Sequence, residues 1–296
     1  GQHYLARDLT GSLSGAQRLV GGTGIVGAAD AFGADGISSA TGIGASFGLV
    51  VGGIGGKATV NDGAVSTAGT GDGAVLTSGG NANISAQVYG NASANSGTRG
   101  AGLFGGVGKS KTTISMHQGA QATIGSGASM EIGGDLNITS DNRHVAAAVA
   151  HAGAASGGVS IGGADSIIEA TPITLTNVGT NADLHAKGNI AIGAGMGARG
   201  TASGDSAAYA GLGSGGSTYA YWALGAATND FTSAPLNTIV NFDAGAKVRA
   251  EHRLLVRAQV DATQIDSRAD ASAASAIYSS PDADARSFVT SIALVT

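Results

Sequence analysis

Three stretches decide the fold: Ala82-Asn83-Ile84-Ser85-Ala86, Leu136-Asn137-Ile138-Thr139-Ser140 and Ile190-Ala191-Ile192-Gly193-Ala194. Each alternates at period two, the mark of a strand with one buried face. Ile84, Ile138 and Ile192 stand 54 residues apart, and the fourth member of the column, Val256 in Leu254-Leu255-Val256-Arg257-Ala258, follows after 64. A second column, Val60, Ile114, Ile168 and Trp222, keeps the 54-residue step throughout. The gap between the columns is 24 residues in three copies and 34 in the last, so the fourth copy carries an insertion.

The text between the columns repeats as well. Gly73-Ala74-Val75-Leu76 recurs as Gly127-Ala128-Ser129-Met130, Asn181-Ala182-Asp183-Leu184 and Gly245-Ala246-Lys247-Val248. Gly80, Gly134, Gly188 and His252 precede the decisive strand, where glycine suits a turn. Four copies therefore cover 48–101, 102–155, 156–209 and 210–280, the last with its insertion near 229–237. Residues 1–47 read as the degraded end of a preceding repeat, with Gly24-Ile25-Val26-Gly27-Ala28 resembling Gly188 to Ala194, and 281–296 as the start of the next. The fold expected is all-β, one continuous Gly/Ala-rich β-solenoid of about 54-residue repeats. Each copy is expected to hold two or three coils of about 18–25 residues, giving a rod on the order of 60 Å long at one strand spacing per coil.

Composition agrees. Gly is 52 of 296 residues, without a three-residue period and with only three prolines, which excludes collagen. Charged residues at 12% and hydrophobic ones at 43% exclude classical disorder. With so few large side chains, ladder hydrogen bonds must hold the chain together. The lack of cysteine is compatible with export. A net charge of −5 with no basic stripe argues against nucleic acid and anionic membrane as partners. No uninterrupted apolar run is long enough for a transmembrane helix, and both ends read as fragment boundaries. His144-Val145-Ala146-Ala147-Ala148-Val149-Ala150-His151 has helical propensity. Its counterparts Val88-Tyr89-Gly90-Asn91-Ala92 and Gly195-Met196-Gly197-Ala198-Arg199 do not, so a strand or coil is expected there.

Ala122-Thr123-Ile124-Gly125-Ser126-Gly127-Ala128 followed by Gly133-Gly134-Asp135-Leu136-Asn137-Ile138-Thr139, with the double glycines Gly52-Gly53 and Gly162-Gly163, resembles the repeats of large secreted bacterial exoproteins. The pattern is similar to the filamentous-haemagglutinin class, especially its leukotoxin-type filamentous adhesins, over nearly the whole chain. The resemblance implies a right-handed parallel β-helix, export through an outer-membrane partner and a place on the cell surface. The implied role is a stalk or filament for attachment. Its partners would be other copies or repeats of the same large protein, and glycans or proteins on host or neighbouring cells.

No motif carries catalysis, and no cofactor or metal site is expected. Gly44-Ala45-Ser46-Phe47-Gly48 matches a nucleophile elbow without its strand–turn–helix context. Gly-x-Gly-x-x-Gly at Gly22-Gly24-Gly27, Gly195-Gly197-Gly200 and Gly211-Gly213-Gly216 is what a glycine-rich, turn-rich chain yields by composition. Asp72 in Gly69-Thr70-Gly71-Asp72-Gly73 suggests a calcium roll, but Ser126, Thr180 and Ala244 stand in its column, which favours a turn. The histidines His3, His117, His144, His151, His185 and His252 fall in different columns and read as solvated or turn-facing. Asn83 and Asn137 share a column, where side-chain amides can stack. The acids Asp62, Asp72, Asp135, Asp165 and Glu169 fall in unrelated columns, which weighs against the alternative of a carbohydrate-cleaving β-helix and leaves a carbohydrate-binding one open. A threonine ladder for ice or mineral is broken, because Ile167 and Tyr221 follow Thr59 and Thr113. The candidate partner-contact loop is the insertion, with Phe231 and Leu236 upon it and Trp222 beneath. Trp222 alternatively fills a core column that holds Val or Ile elsewhere, and this core placement is preferred.

Overall fold

The computed structural model describes residues 12–13, 18–21, 24–32, 38–48, 51–225, 236–289 and 292–296, which form strands and turns and no helix. The chain runs in circuits. The first comprises β1 (Ser12–Leu13), β2 (Arg18–Gly21), β3 (Gly24–Phe32), β4 (Ser38–Gly48) and β5 (Val51–Asp62). The second is β6 (Val65–Thr70), β7 (Val75–Ser78), β8 (Ala82–Gly102) and β9 (Gly105–Met116). The third is β10 (Gly119–Ile124), β11 (Ser129–Ile132), β12 (Leu136–Ser156) and β13 (Val159–Ala170). The fourth is β14 (Ile173–Val178), β15 (Asp183–Ala186), β16 (Ile190–Ala210) and β17 (Gly213–Leu224). The fifth is β18 (Leu236–Phe242), β19 (Lys247–Ala250), β20 (Leu254–Ser275) and β21 (Tyr278–Val289), and β22 (Ile292–Val295) follows.

Equivalent strands pair in parallel, circuit upon circuit, into four sheets compatible with a β-helix. Ile138 pairs with Ile84 on one side and Ile192 on the other, so partners lie 54 residues apart. The columns legible in the sequence are therefore the hydrogen-bonded rows. One expectation needs correcting. All four strands of a 54-residue unit belong to a single circuit, so a copy does not hold two or three coils. Five circuits at about 4.8 Å each stack to roughly 20–25 Å, not 60 Å.

The reason is the strand length. β8, β12 and β16 each run 21 residues, about 70 Å, then fold back along a 12-residue strand. The Ala-rich run of β12 is strand throughout, because its parallel neighbours carry glycine and asparagine in the same rows. Gly44–Gly48 and Gly195–Gly200 likewise lie within β4 and β16, in strands rather than at an elbow or a turn.

Side-chain size along the circuit sets its thickness. At the base three sheets enclose Leu76, Ile84, Ile124, Met130, Ile132, Leu136, Ile138 and Leu184, all buried. Further out, Val60, Ile114, Ile168 and Trp222 from the 12-residue sheet pack on alanines of the long one, among them Ala92, Ala146, Ala198 and Ala202. Towards the far end of the second to fourth circuits the inward positions are Gly, Ala, Ser and Thr. A Cβ on Gly108 would stand 2.2 Å from the Gly153 carbonyl oxygen, and one on Gly106 2.4 Å from that of Ala155. The two sheets there meet backbone to backbone, and the circuit tapers to a thin blade. Some buried hydroxyls in this layer find partners across it: Ser96 lies 2.6 Å from Ser110 and 2.7 Å from Thr112, which donates to the Val149 carbonyl at 2.6 Å, whereas the hydroxyls of Thr98 and Ser160 are buried without one.

Turns repeat with the rows. Gly73, Gly127, Asn181 and Gly245 all adopt positive φ, 56–74°, which explains the Gly/Asn column. Asp72 accepts from the Ser126 backbone NH at 2.7 Å, a turn contact. Outside, the Asn137 amide donates to Asn83 at 2.9 Å, so the asparagine column stacks.

Candidate functional site

On the outward face of the long sheet, β12 presents Thr139, Asp141 and Arg143, and β20 presents Arg257, Gln259 and Asp261. Between them β16 presents Gly193, Gly195 and Gly197. Three successive outward positions without side chains leave a trench one circuit wide. It spans two strand spacings, about 9.5 Å, and runs about 13 Å along the strand. The hollow over Gly195 and Gly197 measures about 570 Å³, and Tyr89, Asp141, Arg143, Arg199, Gln259 and Asp261 are among its walls.

These outward glycines differ physically from those of the blade. A Cβ on Gly193 or Gly197 would meet nothing closer than 3.6 or 3.5 Å, an ordinary contact. At Gly195 the nearest atom is the Asp141 Oδ1, 3.1 Å away at the end of a side chain rather than on backbone. Packing does not require glycine here, so the open trench is not a by-product of the fold.

Each wall holds a polar pair. The Arg143 Nε donates to Asp141 Oδ2 at 2.8 Å, and the Gln259 amide to Asp261 Oδ1 at 3.0 Å. Partial burial pushes the Asp141 carboxyl above its ordinary pKa, opposed by Arg143 and reinforced by Asp261. The trench thus offers two carboxylates, an amide and guanidinium groups over a flat floor, a set suited to hydrogen-bonding a polar, extended ligand.

Behind the floor the sheet is buried. His144 is 2% exposed, neither ring nitrogen has a hydrogen-bond partner, and the ring stacks on Trp222 at 6.5 Å and 19°. The solvated placement expected for this histidine is therefore wrong. Its row alternates inward, and desolvation lowers its pKa to about 4, so the ring is neutral at pH 7. His117, His151 and His252 are exposed; His185 bridges Glu131 at 2.8 Å and Glu251 at 3.6 Å along the stack; His3 lies outside the described residues.

Trp222 is fully buried and fills the core column, the preferred of its two sequence readings. Gly200 makes the room, since a Cβ there would stand 2.9 Å from the indole nitrogen, where Ala92 and Ala146 occupy the row in the circuits before it. Leu236 opens β18, pairing with Ile292, instead of standing on a loop. Phe231 lies outside the described residues. The pairing offset rises from 54 residues at Leu224 and Ala170 to 64 at Thr238 and Thr174, so the insertion falls between those points.

Asp165 lies in the row of Lys111 and Tyr219, while Asp135 accepts from the Asn189 backbone and amide at 2.7 and 3.0 Å; neither lines the trench. Asp141, Arg143, Gln259 and Asp261 were missed by the sequence reading. The signal was present as Gly-x-Gly-x-Gly over 193–197 in rows that are polar or charged in the flanking copies. No family model, curated protein or solved structure matches the chain.

Proposed function

We propose that the chain is a structural and adhesive segment of a secreted, filamentous bacterial surface protein, a right-handed parallel β-helix of about 54-residue repeats without catalysis. The observation that carries this reading is the register: row after row continues from circuit to circuit, so adding repeats lengthens the stack and displays the same outer face again. Such a stack suits a stalk. Beads coated with the chain should adhere to cell monolayers or to like-coated beads. Adhesion no greater than that of albumin-coated beads would contradict the adhesive reading.

The trench favours a second reading, carbohydrate binding on the same scaffold. A sugar chain is narrow, polar and uncharged or weakly charged, and Asp141, Arg143, Gln259 and Asp261 supply donors and acceptors on both walls. Filling the floor with Gly193→Thr and Gly197→Arg should abolish retention of the chain on immobilised glycans while leaving its circular dichroism unchanged. Retention of the filled variant would refute the trench as a sugar site.

A further inference from the structure

The far edge of the blade carries a surface that neither reading uses. Four turns stack there: Leu103-Phe104, Gly157-Gly158, Gly211-Leu212 and Ala276-Ile277. Their backbones join as Gly157 N to Leu103 O, Val159 N to Phe104 O, Leu212 N to Gly158 O and Tyr278 N to Leu212 O. The flanking stretches 100–108, 153–164, 207–218 and 272–281 contain no charged residue. Leu103, Phe104, Val159, Ile161, Tyr209, Leu212, Ile277 and Tyr278 are each 47–75% exposed along this edge.

The relief is uneven. Leu103 and Phe104 project from the second circuit, Leu212 from the fourth and Ile277 from the fifth, whereas the third has only Gly157-Gly158. Neither glycine can be enlarged, because a Cβ would meet the Leu103 oxygen at 2.7 Å or the Phe104 oxygen at 2.2 Å. Tight stacking of the turns thus creates a recess of about 530 Å³ between Leu103 and Tyr209, floored by Gly157 and lined by Ala101, Ala155 and Ala274.

We propose that this edge is the surface through which two copies of the chain associate side by side. Leu103, Phe104, Leu212 and Ile277 at the turns, each more than half exposed, adjoin Val159, Ile161 and Tyr278 on one face of the blade, a cluster beyond the singly scattered apolar residues normal for a monomer surface. No charge is present to select a polyanion or a basic partner. A recess one circuit wide, between projecting turns stacked at about 4.8 Å steps, calls for a partner with the same spacing, and a second copy has it by construction. Related by a two-fold axis, each copy sets Leu103 and Phe104 against the other's Gly157-Gly158 recess, a self-complementary contact. The edge continues with the stack, so association strengthens as circuits are added.

Sedimentation velocity of the 296-residue chain from 1 to 100 µM tests this. A reversible dimer is expected, weakened at least about tenfold in Phe104→Ser/Leu212→Ser with unchanged circular dichroism, and also in Tyr209→Ser should the double variant fail to fold. A wild-type monomer at 100 µM, or a dimer indifferent to these substitutions, would overturn the proposal. So would a monomeric chain that floats with uncharged phosphatidylcholine vesicles, which would assign the edge to a lipid surface.

Discussion

Gly108→Ala and Gly197→Ala place the same methyl group on the two sides of the molecule. At Gly108 the new Cβ would lie 2.2 Å from the Gly153 oxygen and 3.0 Å from its carbonyl carbon. A carbon-to-oxygen contact settles near 3.3 Å, so the facing sheets must part by about 1 Å. No rotamer relieves the clash, since both groups are backbone. Overpacking of this kind costs about 1–3 kcal/mol, and the reduced freedom of the unfolded chain offsets only about 0.5 kcal/mol. The net expectation is a loss of about 2 kcal/mol. At Gly197 the nearest atom is the Arg143 Cγ at 3.5 Å, so the methyl fits and the chain should gain roughly 0.5 kcal/mol. Urea unfolding followed by far-ultraviolet circular dichroism reads both, as opposite shifts in midpoint at constant slope. Equal shifts, or stabilisation by Gly108→Ala, would refute the thin blade.

Ile138→Asp buries an unpaired charge between Ile84 and Ile192 and should cost about 3 kcal/mol or more, whereas Ser126→Asp on an exposed turn should cost under about 1 kcal/mol by the same unfolding assay. His144 titrates at about 4 when folded against an ordinary 6.5, so its neutral form favours the fold above pH 6.5. That stability is lost as pH falls from 6.5 to 4, by about 3 kcal/mol in all. The raised carboxyls of Asp141 and Glu169 change stability in the opposite sense, so the difference between wild type and His144→Leu isolates the histidine, and parallel pH profiles for the two would contradict it. Deleting residues 226–235 restores a 54-residue step between β14 and β18 and should change stability by under about 1 kcal/mol while weakening bead adhesion; a collapse in melting temperature would make the segment structural.

Rows were legible in the sequence because a parallel stack repeats its inward face at fixed intervals: Ile84, Ile138 and Ile192 announce one row, and Val60 to Trp222 another. The size of the circuit was not. Eighteen to twenty-five residues per coil assumes short strands, and nothing in 82–102 marks the absence of a turn, since glycine serves equally as a turn former and as a spacer-free contact. Only the facing backbone distinguishes Gly106 and Gly108, which have no room for a side chain, from Gly193 and Gly197, which have it. The trench was hidden for the same reason. Its walls come from residues 118 positions apart, 54 and 64 from the glycines between them, and its defining feature is missing side chains. His144 misled because an inward row otherwise filled by Gly90 and Ala198 gives no hint of a buried ring.

One circuit per 54 residues is the central claim, and paired cysteines test it in a chain that has none. Glu131 and His185 are outward neighbours on adjacent strands β11 and β15. Glu131→Cys/His185→Cys should form an intramolecular disulfide under mild oxidation, since parallel partners lie within the reach a disulfide needs, about 4.4–6.8 Å between Cα atoms. Failure of that pair to close, with ready closure of Glu131→Cys against a cysteine at Ala155, 24 residues on, would contradict the stack.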